Sequence, residues 1–345
     1  MPKRRRAGVK KTSHEMTFMN LTAGKWVSGA TAVAVELGIA DLLKDGTKTV
    51  AQIARSVNAS EDGVYRLLRA LGSVGLFAET GSRRFRLTPL GKLLRTDPQR
   101  ALGTYARFVG HESTWRPWEK LAHSVRTGEP AFDHVFAMPI FDYFAKMPEA
   151  AAVFDGAMTS ISTWESKAVV AAYDFSEIGT LVDVAGGHGL MIMTILKANR
   201  NMRGILFDLP HVTAGAAMLL RSGGVADRCQ IFSGDFFTSV PEGGDAYIMK
   251  HIIHDWDDER AIQILRNCHS VMRRGGKVLV VDAVIPPGNA THFGKLLDLE
   301  MLALTPRGRE RTQAEFRDLL QRSGFKLKRV ISTETHLSVV EGVRT

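Results

Sequence analysis

The chain has 345 residues, a length that favours two domains and allows a large buried core. Its 45% hydrophobic and 23% charged residues are ordinary for a globular protein, and no apolar run is long enough for a membrane span. Cys229 and Cys268 have no C-x-x-C spacing, which argues against a disulfide framework or a zinc site. The basic start lacks the apolar segment of a signal peptide, so we expect a cytoplasmic protein.

The net charge of +9 is concentrated at the start of the chain. Six of the positive charges precede the first acidic residue: Lys3, Arg4, Arg5, Arg6, Lys10 and Lys11. The simplest interpretation is a disordered, solvated tail over 1–14, and an electrostatic arm is the alternative.

Residues 15–105 are predicted to form a small, mainly helical domain. The expected elements are a helix over 17–45, a helix capped by Thr49 with Gln52, a helix capped by Ser60, and strands over 76–79 and 84–88. Three helices followed by a hairpin indicate a winged-helix-like domain. Its third helix begins with Glu61 and Asp62, where a DNA reader needs polar or basic residues. We therefore favour dimerisation over DNA binding.

Residues 106–172 are predicted to be helical and are rich in aromatic side chains. A helical linker between a small domain and a ligand-binding domain can form the wall of an apolar pocket. The expected substrate-binding set combines residues of this linker with residues farther along the chain. It comprises Phe108, His111, Trp115, Asp255, Met301 and Thr305.

The stretch Leu181–Gly189, LVDVAGGHG, predicts a buried strand, a glycine turn and a following helix. A second strand ends in Asp208, where a carboxylate can accept hydrogen bonds from a ribose diol. We therefore expect a nucleoside ligand. A dinucleotide fingerprint needs a third glycine where Ile192 stands, which disfavours NAD. The turn instead resembles the first motif of class I S-adenosylmethionine-dependent methyltransferases.

Strands and helices alternate over 173–345, which predicts a mostly parallel sheet covered on both faces. Polar residues follow five strands in succession: Asp183, Asp208, Asp235, Lys250 with His254, and Asp282. Ligands of such sheets bind beyond the carboxyl ends of the strands. His254 follows a strand directly, and Asp255 or Asp257 can cap the next helix, so the imidazole should be held rigidly.

The chain resembles the small-molecule O-methyltransferase family that includes plant caffeic acid enzymes and bacterial polyketide and phenazine enzymes. The resemblance spans nearly the whole chain, through the N-terminal region and the stretches LVDVAGGHG, ILFDLPHV, GDFF, MKHIIHDWDDE and GRERTQAEFRDLL. It implies an α/β fold with a class I methyltransferase (Rossmann-like) C-terminal domain and a winged-helix-like N-terminal dimerisation domain. It also implies a homodimer that uses S-adenosylmethionine.

By position, the resemblance makes His254 the general base and Asp282 and Glu310 the acids that flank it. The predicted cofactor site combines residues that match the family's cofactor positions, the glycine turn, and side chains able to face a sulfonium. This site comprises Asp183, Gly186, Gly187, Gly189, Asp208, Leu209, Asp235, Phe236, Lys250, Trp256 and Met158.

Three positions depart from the family pattern. Ala185 stands where glycine is usual, and we expect it to fit. Asp282 replaces the glutamate common in plant members, which shortens its reach toward His254. Arg307 stands where the family has the first glycine of a Pro-Gly-Gly run, and it puts a charge near the pocket rim.

The predicted reaction is methylation of a hydroxyl on an aromatic small molecule, and we expect that hydroxyl to be phenolic. A phenol with a pKa of ~10 needs a base, and an imidazole titrating near ~6.5 can serve. No metal-ligand cluster is evident in the sequence, which disfavours magnesium-dependent catechol chemistry. Two alternatives stay open: decarboxylation or hydroxylation by a diverged member of the family, and nucleic-acid binding or methylation. We expect neither a membrane partner nor specific binding of nucleic acid.

Overall fold

The computed structural model describes residues 13–96 and 102–345. The basic cluster over 3–11 lies outside the described residues. The chain divides into two compact units, one ending at His111 and one beginning at Glu112. No helix within the described part of the chain is long and apolar enough to cross a membrane.

The N-terminal unit is mainly helical with one small sheet. Its elements are α1 (His14–Thr22), α2 (Gly24–Glu36), α3 (Ile39–Leu42), β1 (Lys48–Thr49), α4 (Val50–Ser56), α5 (Glu61–Ser73), β2 (Phe77–Gly81), β3 (Arg84–Leu87) and α6 (Gly103–Val109), with a 3-10 turn over Gly91–Leu94. The expectation of one helix over 17–45 is wrong. The segment breaks at Ala23 and again at Gly38, whose φ of +64° is left-handed and ends α2.

The predicted caps of this unit are confirmed. Thr49 Oγ1 accepts a hydrogen bond from the Gln52 amide at 3.1 Å, and Gln52 Oε1 accepts one from the Thr49 amide at 2.9 Å. Ser60 Oγ accepts one from the Gly63 amide at the start of α5. Strand β3 pairs antiparallel with both β1 and β2, and its buried Phe85 joins the apolar faces of the helices. Helices precede the β2–β3 hairpin, as predicted, although the first predicted helix is divided and β1 was not predicted.

The C-terminal unit begins with five helices, of which the last is long. They are α7 (Glu112–Glu119), α8 (Leu121–Thr127), α9 (Ala131–Phe136), α10 (Ile140–Lys146) and α11 (Pro148–Ala172). Strands and helices then alternate: β4 (Thr180–Val184), α12 (Leu190–Ala198), β5 (Arg203–Asp208), α13 (Pro210–Thr213), α14 (Ala216–Ser222), β6 (Cys229–Ser233), β7 (Ala246–Lys250), α15 (Asp258–Val271), β8 (Lys277–Ala283), α16 (Gly294–Leu304), α17 (Gln313–Arg322), β9 (Phe325–Ser332) and β10 (Leu337–Arg344).

The seven strands form one sheet in the order β6-β5-β4-β7-β8-β10-β9. The first five are parallel, while β10 runs antiparallel between β8 and β9. This agrees with the predicted, mostly parallel α/β fold. The pairs Asp208 with Ser233, Lys250 with Val281, and Asp282 with Ser338 bring the polar strand ends to one edge of the sheet.

Two apolar layers cover the faces of this sheet. On one face α11, α12 and α14 pack on alternate strand residues such as Leu181 and Ile248. On the other face α15 and α17 pack on the intervening residues, such as Val182 and Tyr247. Because both faces are buried, the exposed carboxyl edge is where the strand ends can meet a ligand.

Candidate active site

The glycine turn after β4 is shaped by packing and by backbone conformation. A Cβ on Gly186 would lie 2.6 Å from Cγ of Asp183 and 2.5 Å from Cδ1 of Leu206. Gly187 and Gly189 have φ of +61° and +89°, which favour glycine. A Cβ on Gly187 would meet nothing within 4 Å, so the turn opens onto free space at this residue.

Two aspartates, Asp183 and Asp208, accept hydrogen bonds from backbone amides in and just after the glycine turn. Asp183 is buried, its Oδ2 accepts the Ile192 amide at 3.2 Å, and burial raises its pKa to about 7. Asp208 is half-buried, and its Oδ2 and Oδ1 accept the amides of Gly187 and Leu209 at 2.8 and 2.7 Å. Burial also raises the pKa of Asp208. Each oxygen of Asp208 keeps a second lone pair, which fits a ribose diol.

An aromatic corner lies along the same edge. Asp235 is exposed, and its Oδ1 accepts the Phe237 amide at 2.8 Å, so it begins a tight turn. The ring centroids of Phe236 and Trp256 are 6.2 Å apart in an edge-on arrangement. The buried Nε1 of Trp256 finds no hydrogen-bond partner within the described chain. An unpaired buried donor beside aromatic faces suits the docking of a heteroaromatic ligand.

His254 lies in a 3-10 turn over Ile253–Asp255, directly after β7. Its side chain is 8% exposed, and Nδ1 lies 2.7 Å from Oε1 of the buried Glu310. On the other side of the ring, Nε2 lies 3.6 Å from Oδ1 of Asp255. The Glu310 amide donates to Oδ1 of Asp298 on α16 at 2.8 Å, which fixes the position of the acid. Asp257, not Asp255, caps α15 by accepting the Arg260 amide.

Asp282 does not hydrogen-bond to His254. Its Oδ1 accepts the backbone amide of His251 at 3.0 Å, while its buried Oδ2 has no partner among the described residues. The carboxylate nevertheless lies close enough to influence the imidazole, because donor atoms of His251, His254 and Asp282 all lie within 4.8 Å of one another.

Three acidic residues change the titration of His254. Burial by itself would lower the pKa of the imidazole, but the charges of Glu310, Asp255 and Asp282 outweigh it and raise the pKa to about 10. Burial raises the pKa of Asp255 to about 6, and it raises the pKa of Asp282 as well. The surrounding acids therefore favour the imidazolium, which is the form that His254 takes after it accepts a proton.

Arg311 holds the turn that carries His254. Its side chain is buried, and it donates to the carbonyls of Ile253 and Trp256 at 2.9 and 2.8 Å. Its Nε and Nη2 also donate to Oδ1 of Asp258 at 3.0 and 2.7 Å. The carbonyls on both sides of His254 are thus held by one rigid guanidinium group.

A second cluster of charged groups surrounds Glu165 on α11. This carboxylate is fully buried, and Lys250 Nζ lies 3.0 Å from its Oε2. His251 Nε2 lies 3.0 Å from each carboxylate oxygen, and His336 Nε2 lies 3.8 Å from Oε1. The donor atoms of Glu165, His251 and His336 are close enough to hold a metal ion. The ammonium group of Lys250 at the same carboxylate opposes a second cation there.

Comparison with known proteins identifies the family. A sequence profile of the O-methyltransferase domain matches residues 118–326, and one of the O-methyltransferase dimerisation domain matches residues 19–97. The chain belongs to the S-adenosylmethionine-dependent O-methyltransferase family. The predicted family, fold class, type of enzyme and cofactor are thereby confirmed.

Relatives of this methyltransferase match it over almost its full length. It is 43% identical to a phenazine O-methyltransferase of Lysobacter antibioticus, with 94% of each chain covered. It is 40% identical to a mitomycin biosynthesis 6-O-methyltransferase of Streptomyces lavendulae, with 91% of this chain and 90% of that protein covered. The structure of a calicheamicin biosynthesis methyltransferase bound to S-adenosylhomocysteine superposes with a TM-score of 0.87, at 33% identity, over 97% of this chain and 100% of that chain.

The predicted substrate-binding residues of the methyltransferase fall in both units. Phe108 and His111 belong to the N-terminal unit, where Phe108 is buried on α6. In the C-terminal unit Trp115 lies on α7, which packs against α16. Met301 lies on α16. Thr305 directly follows α16, and its hydroxyl donates a hydrogen bond to the Met301 carbonyl. Asp255 is the member of the set that directly adjoins His254.

Sequence reasoning missed Glu165, His251, His336 and Arg311. Arg311 stands in the stretch GRERT that helped to identify the family, so its buried position could have been suspected. Glu165 gives no such signal, because its partners lie 85 and 86 positions away along the chain.

Proposed function

We propose that this methyltransferase transfers the methyl group of S-adenosylmethionine to a hydroxyl of an aromatic small molecule, with His254 as the general base. The observation that supports it best is the buried pair of His254 and Glu310 at the carboxyl edge of the sheet. A carboxylate on Nδ1 fixes the tautomer that leaves Nε2 free to accept a proton.

The residues around the glycine turn fit the cofactor. Asp208 would hold the ribose hydroxyls, and the open face of Gly187 would receive the ligand where a side chain would obstruct it. Asp235, Phe236 and Trp256 would border the adenine. Leu209, Lys250 and Met158 would complete the site. Asp183, Gly186 and Gly189 shape the turn itself. When bound, S-adenosylmethionine supplies an electrophilic methyl group.

The protein's own contribution to the reaction is orientation and proton removal. Nε2 of His254 would take the proton of the acceptor hydroxyl, whose oxygen would replace sulfur on the methyl carbon, and the cofactor would leave as the neutral thioether. Glu310 stabilises the imidazolium that forms, and Asp255 and Asp282 add negative charge around it. Since burial keeps water away from the ring, these charges act at low effective dielectric constant.

An aromatic acceptor is supported by the names of the relatives, which refer to phenazine and mitomycin. These names also support a role in secondary metabolism. The pocket residues proposed from the sequence are Phe108, His111, Trp115, Asp255, Met301 and Thr305.

A panel of phenols and hydroxylated heteroaromatics incubated with methyl-labelled cofactor tests the proposal. We expect label in an ether product, and we expect His254→Ala to lose that label. Release of carbon dioxide or uptake of oxygen, without label transfer, would support the decarboxylation or hydroxylation alternative and overturn methyl transfer.

For the N-terminal unit we infer a winged-helix-like fold that forms a homodimer and does not read DNA. The match to a dimerisation domain and the acidic start of α5 at Glu61 and Asp62 support this. Light scattering should give a dimer, and gel shifts should show no salt-resistant, sequence-specific complex. The free cysteines Cys229 and Cys268 support a cytoplasmic site of action.

A further inference from the structure

Glu165 is a buried charge that the proposed mechanism does not use. It lies on α11 with no exposed surface, and its carboxylate contacts three basic side chains. Burying a carboxylate is unfavourable unless it is paired, so the pairing must compensate for a substantial loss of hydration. A carboxylate buried despite this loss of hydration suggests that Glu165 has a functional role.

The cluster contains one negative and one positive charge. Burial would raise the pKa of Glu165, but the hydrogen bond from His251 and the ammonium of Lys250 lower it well below its usual range. Burial lowers the pKa of His251 to about 4 despite the neighbouring carboxylate, and it also lowers the pKa of His336. At neutral pH both rings are therefore uncharged, and the carboxylate of Glu165 balances the ammonium of Lys250.

Lys250 is held between two residues of one helix face. Its Nζ donates to Ser162 Oγ at 2.9 Å and to Glu165 Oε2 at 3.0 Å. Met158, Ser162 and Glu165 are spaced by four and three positions along α11, so they line one side of the helix. Lys250 and Met158 also belong to the proposed cofactor site.

We propose that Glu165 neutralises Lys250 so that the adjoining site accepts the positively charged sulfonium of S-adenosylmethionine. Without the carboxylate, the ammonium of Lys250 would repel a sulfonium, but not the neutral thioether of S-adenosylhomocysteine. The methionine ends of the two ligands carry the same charges, so their contributions cancel. Glu165 is thus a positioning residue that raises the affinity for S-adenosylmethionine relative to that for S-adenosylhomocysteine. This inference rests on the cofactor position given under the proposed function.

The test compares the affinities of the two ligands by calorimetry. In Glu165→Gln, the ratio of the Kd for S-adenosylmethionine to the Kd for S-adenosylhomocysteine should rise about tenfold. The double variant Glu165→Gln with Lys250→Gln should return the ratio to within about threefold of the wild type, as expected for directly coupled charges. A structural defect would instead weaken the binding of both ligands equally.

Glu341→Gln is the matched control. Glu341 is also a buried carboxylate with a basic partner, since Arg329 Nε lies 2.6 Å from its Oε2. It lies on β10 opposite Leu279, away from the carboxyl edge that carries Asp282. Its variant should leave the affinity ratio unchanged.

Two results would overturn the inference. One is an unchanged ratio in a folded Glu165→Gln protein. If that variant fails to fold, Lys250→Gln provides the second result. This variant leaves the negative charge of Glu165 without its ammonium partner, so the ratio of the Kd for S-adenosylmethionine to the Kd for S-adenosylhomocysteine must fall. A constant or raised ratio in Lys250→Gln would overturn the inference. A wild-type protein that binds neither ligand would refute the proposed function itself, which separates the two failures.

Discussion

Glu310 Oε1 lies 2.7 Å from Nδ1 of His254, and both side chains are buried. The acid and the base come from segments 56 positions apart, one after β7 and one after α16. Asp298 holds the backbone of Glu310, and Arg311 holds the carbonyls on both sides of His254. The pair is therefore positioned from both sides before any ligand binds.

Replacing His254 with alanine should remove proton abstraction and leave the cofactor site intact. General-base assistance contributes ~10²–10⁴-fold in rate, so we expect turnover to fall by about that factor. The affinity for S-adenosylmethionine should change little, because the ring belongs to the turn after β7 and not to the glycine turn. Single-turnover kinetics and calorimetry measure both quantities.

Alkaline pH gives that variant an internal control. A phenol ionises by itself above a pH of ~10, so the His254→Ala protein should regain part of its rate there. Near-wild-type turnover at neutral pH would place the base on another residue.

Replacing Glu310 with glutamine should shift the pH dependence of the rate. Glu310 is the strongest of the charges that raise the pKa of His254, so its loss lowers that pKa. The rate rises with pH as His254 loses its proton; a lower pKa therefore moves the rising limb to lower pH, by ~1–3 units. The rate plateau should fall, since the imidazolium loses its stabilising partner. Rate profiles measured at saturating cofactor test this, with Glu341→Gln as control; an unmoved limb would contradict it.

The sequence predicted the sheet better than the charge network. The strand predicted within Leu181–Gly189 is β4, and the predicted second strand is β5, which ends at Asp208, because both are short apolar runs. The helix over 17–45 was wrong because its apolar spacing continues through the break at Gly38. The pairing of Glu165 with Lys250 and His251 depends on the docking of α11 at the end of β7, which local patterns do not encode.

Asp208→Ala should weaken cofactor binding. Hydrogen bonds to a charged group contribute about 1.5–3 kcal/mol, which corresponds to about 10–150-fold in Kd. Part of this loss would arise from the amides of Gly187 and Leu209, which also lose their acceptor. Calorimetry with S-adenosylhomocysteine measures the change, and the exposed Asp227→Ala serves as a control that should bind normally. Equal affinities in the two variants would refute a role for Asp208 in holding the ribose.

Arg311→Met should destabilise the C-terminal unit and reduce turnover together. The change leaves the carbonyls of Ile253 and Trp256 without their donor and leaves Asp258 unpaired. A buried carbonyl left without a donor costs about 1–3 kcal/mol, whereas the side chain of Asp258 is 42% exposed and can be hydrated. Arg309→Met, at an exposed pair with Glu315, should cost at most about 1 kcal/mol. Thermal unfolding with parallel rate measurements compares the two, and similar midpoints for both variants would contradict the bracing role.

Ala185→Gly should stabilise the protein. We expected alanine to fit this position, but Ala185 has a φ of +56°, which a Cβ disfavours. A left-handed residue other than glycine costs roughly 1–2 kcal/mol, whereas the extra freedom of glycine in the unfolded chain returns about 0.5–1 kcal/mol. We therefore expect a net gain of about 0.5–1 kcal/mol, seen as a higher unfolding midpoint. The control is Ala198→Gly, at an exposed helical position on α12, where the same substitution should lower the midpoint. A lower midpoint for Ala185→Gly would show that the alanine side chain contributes packing that outweighs its backbone strain.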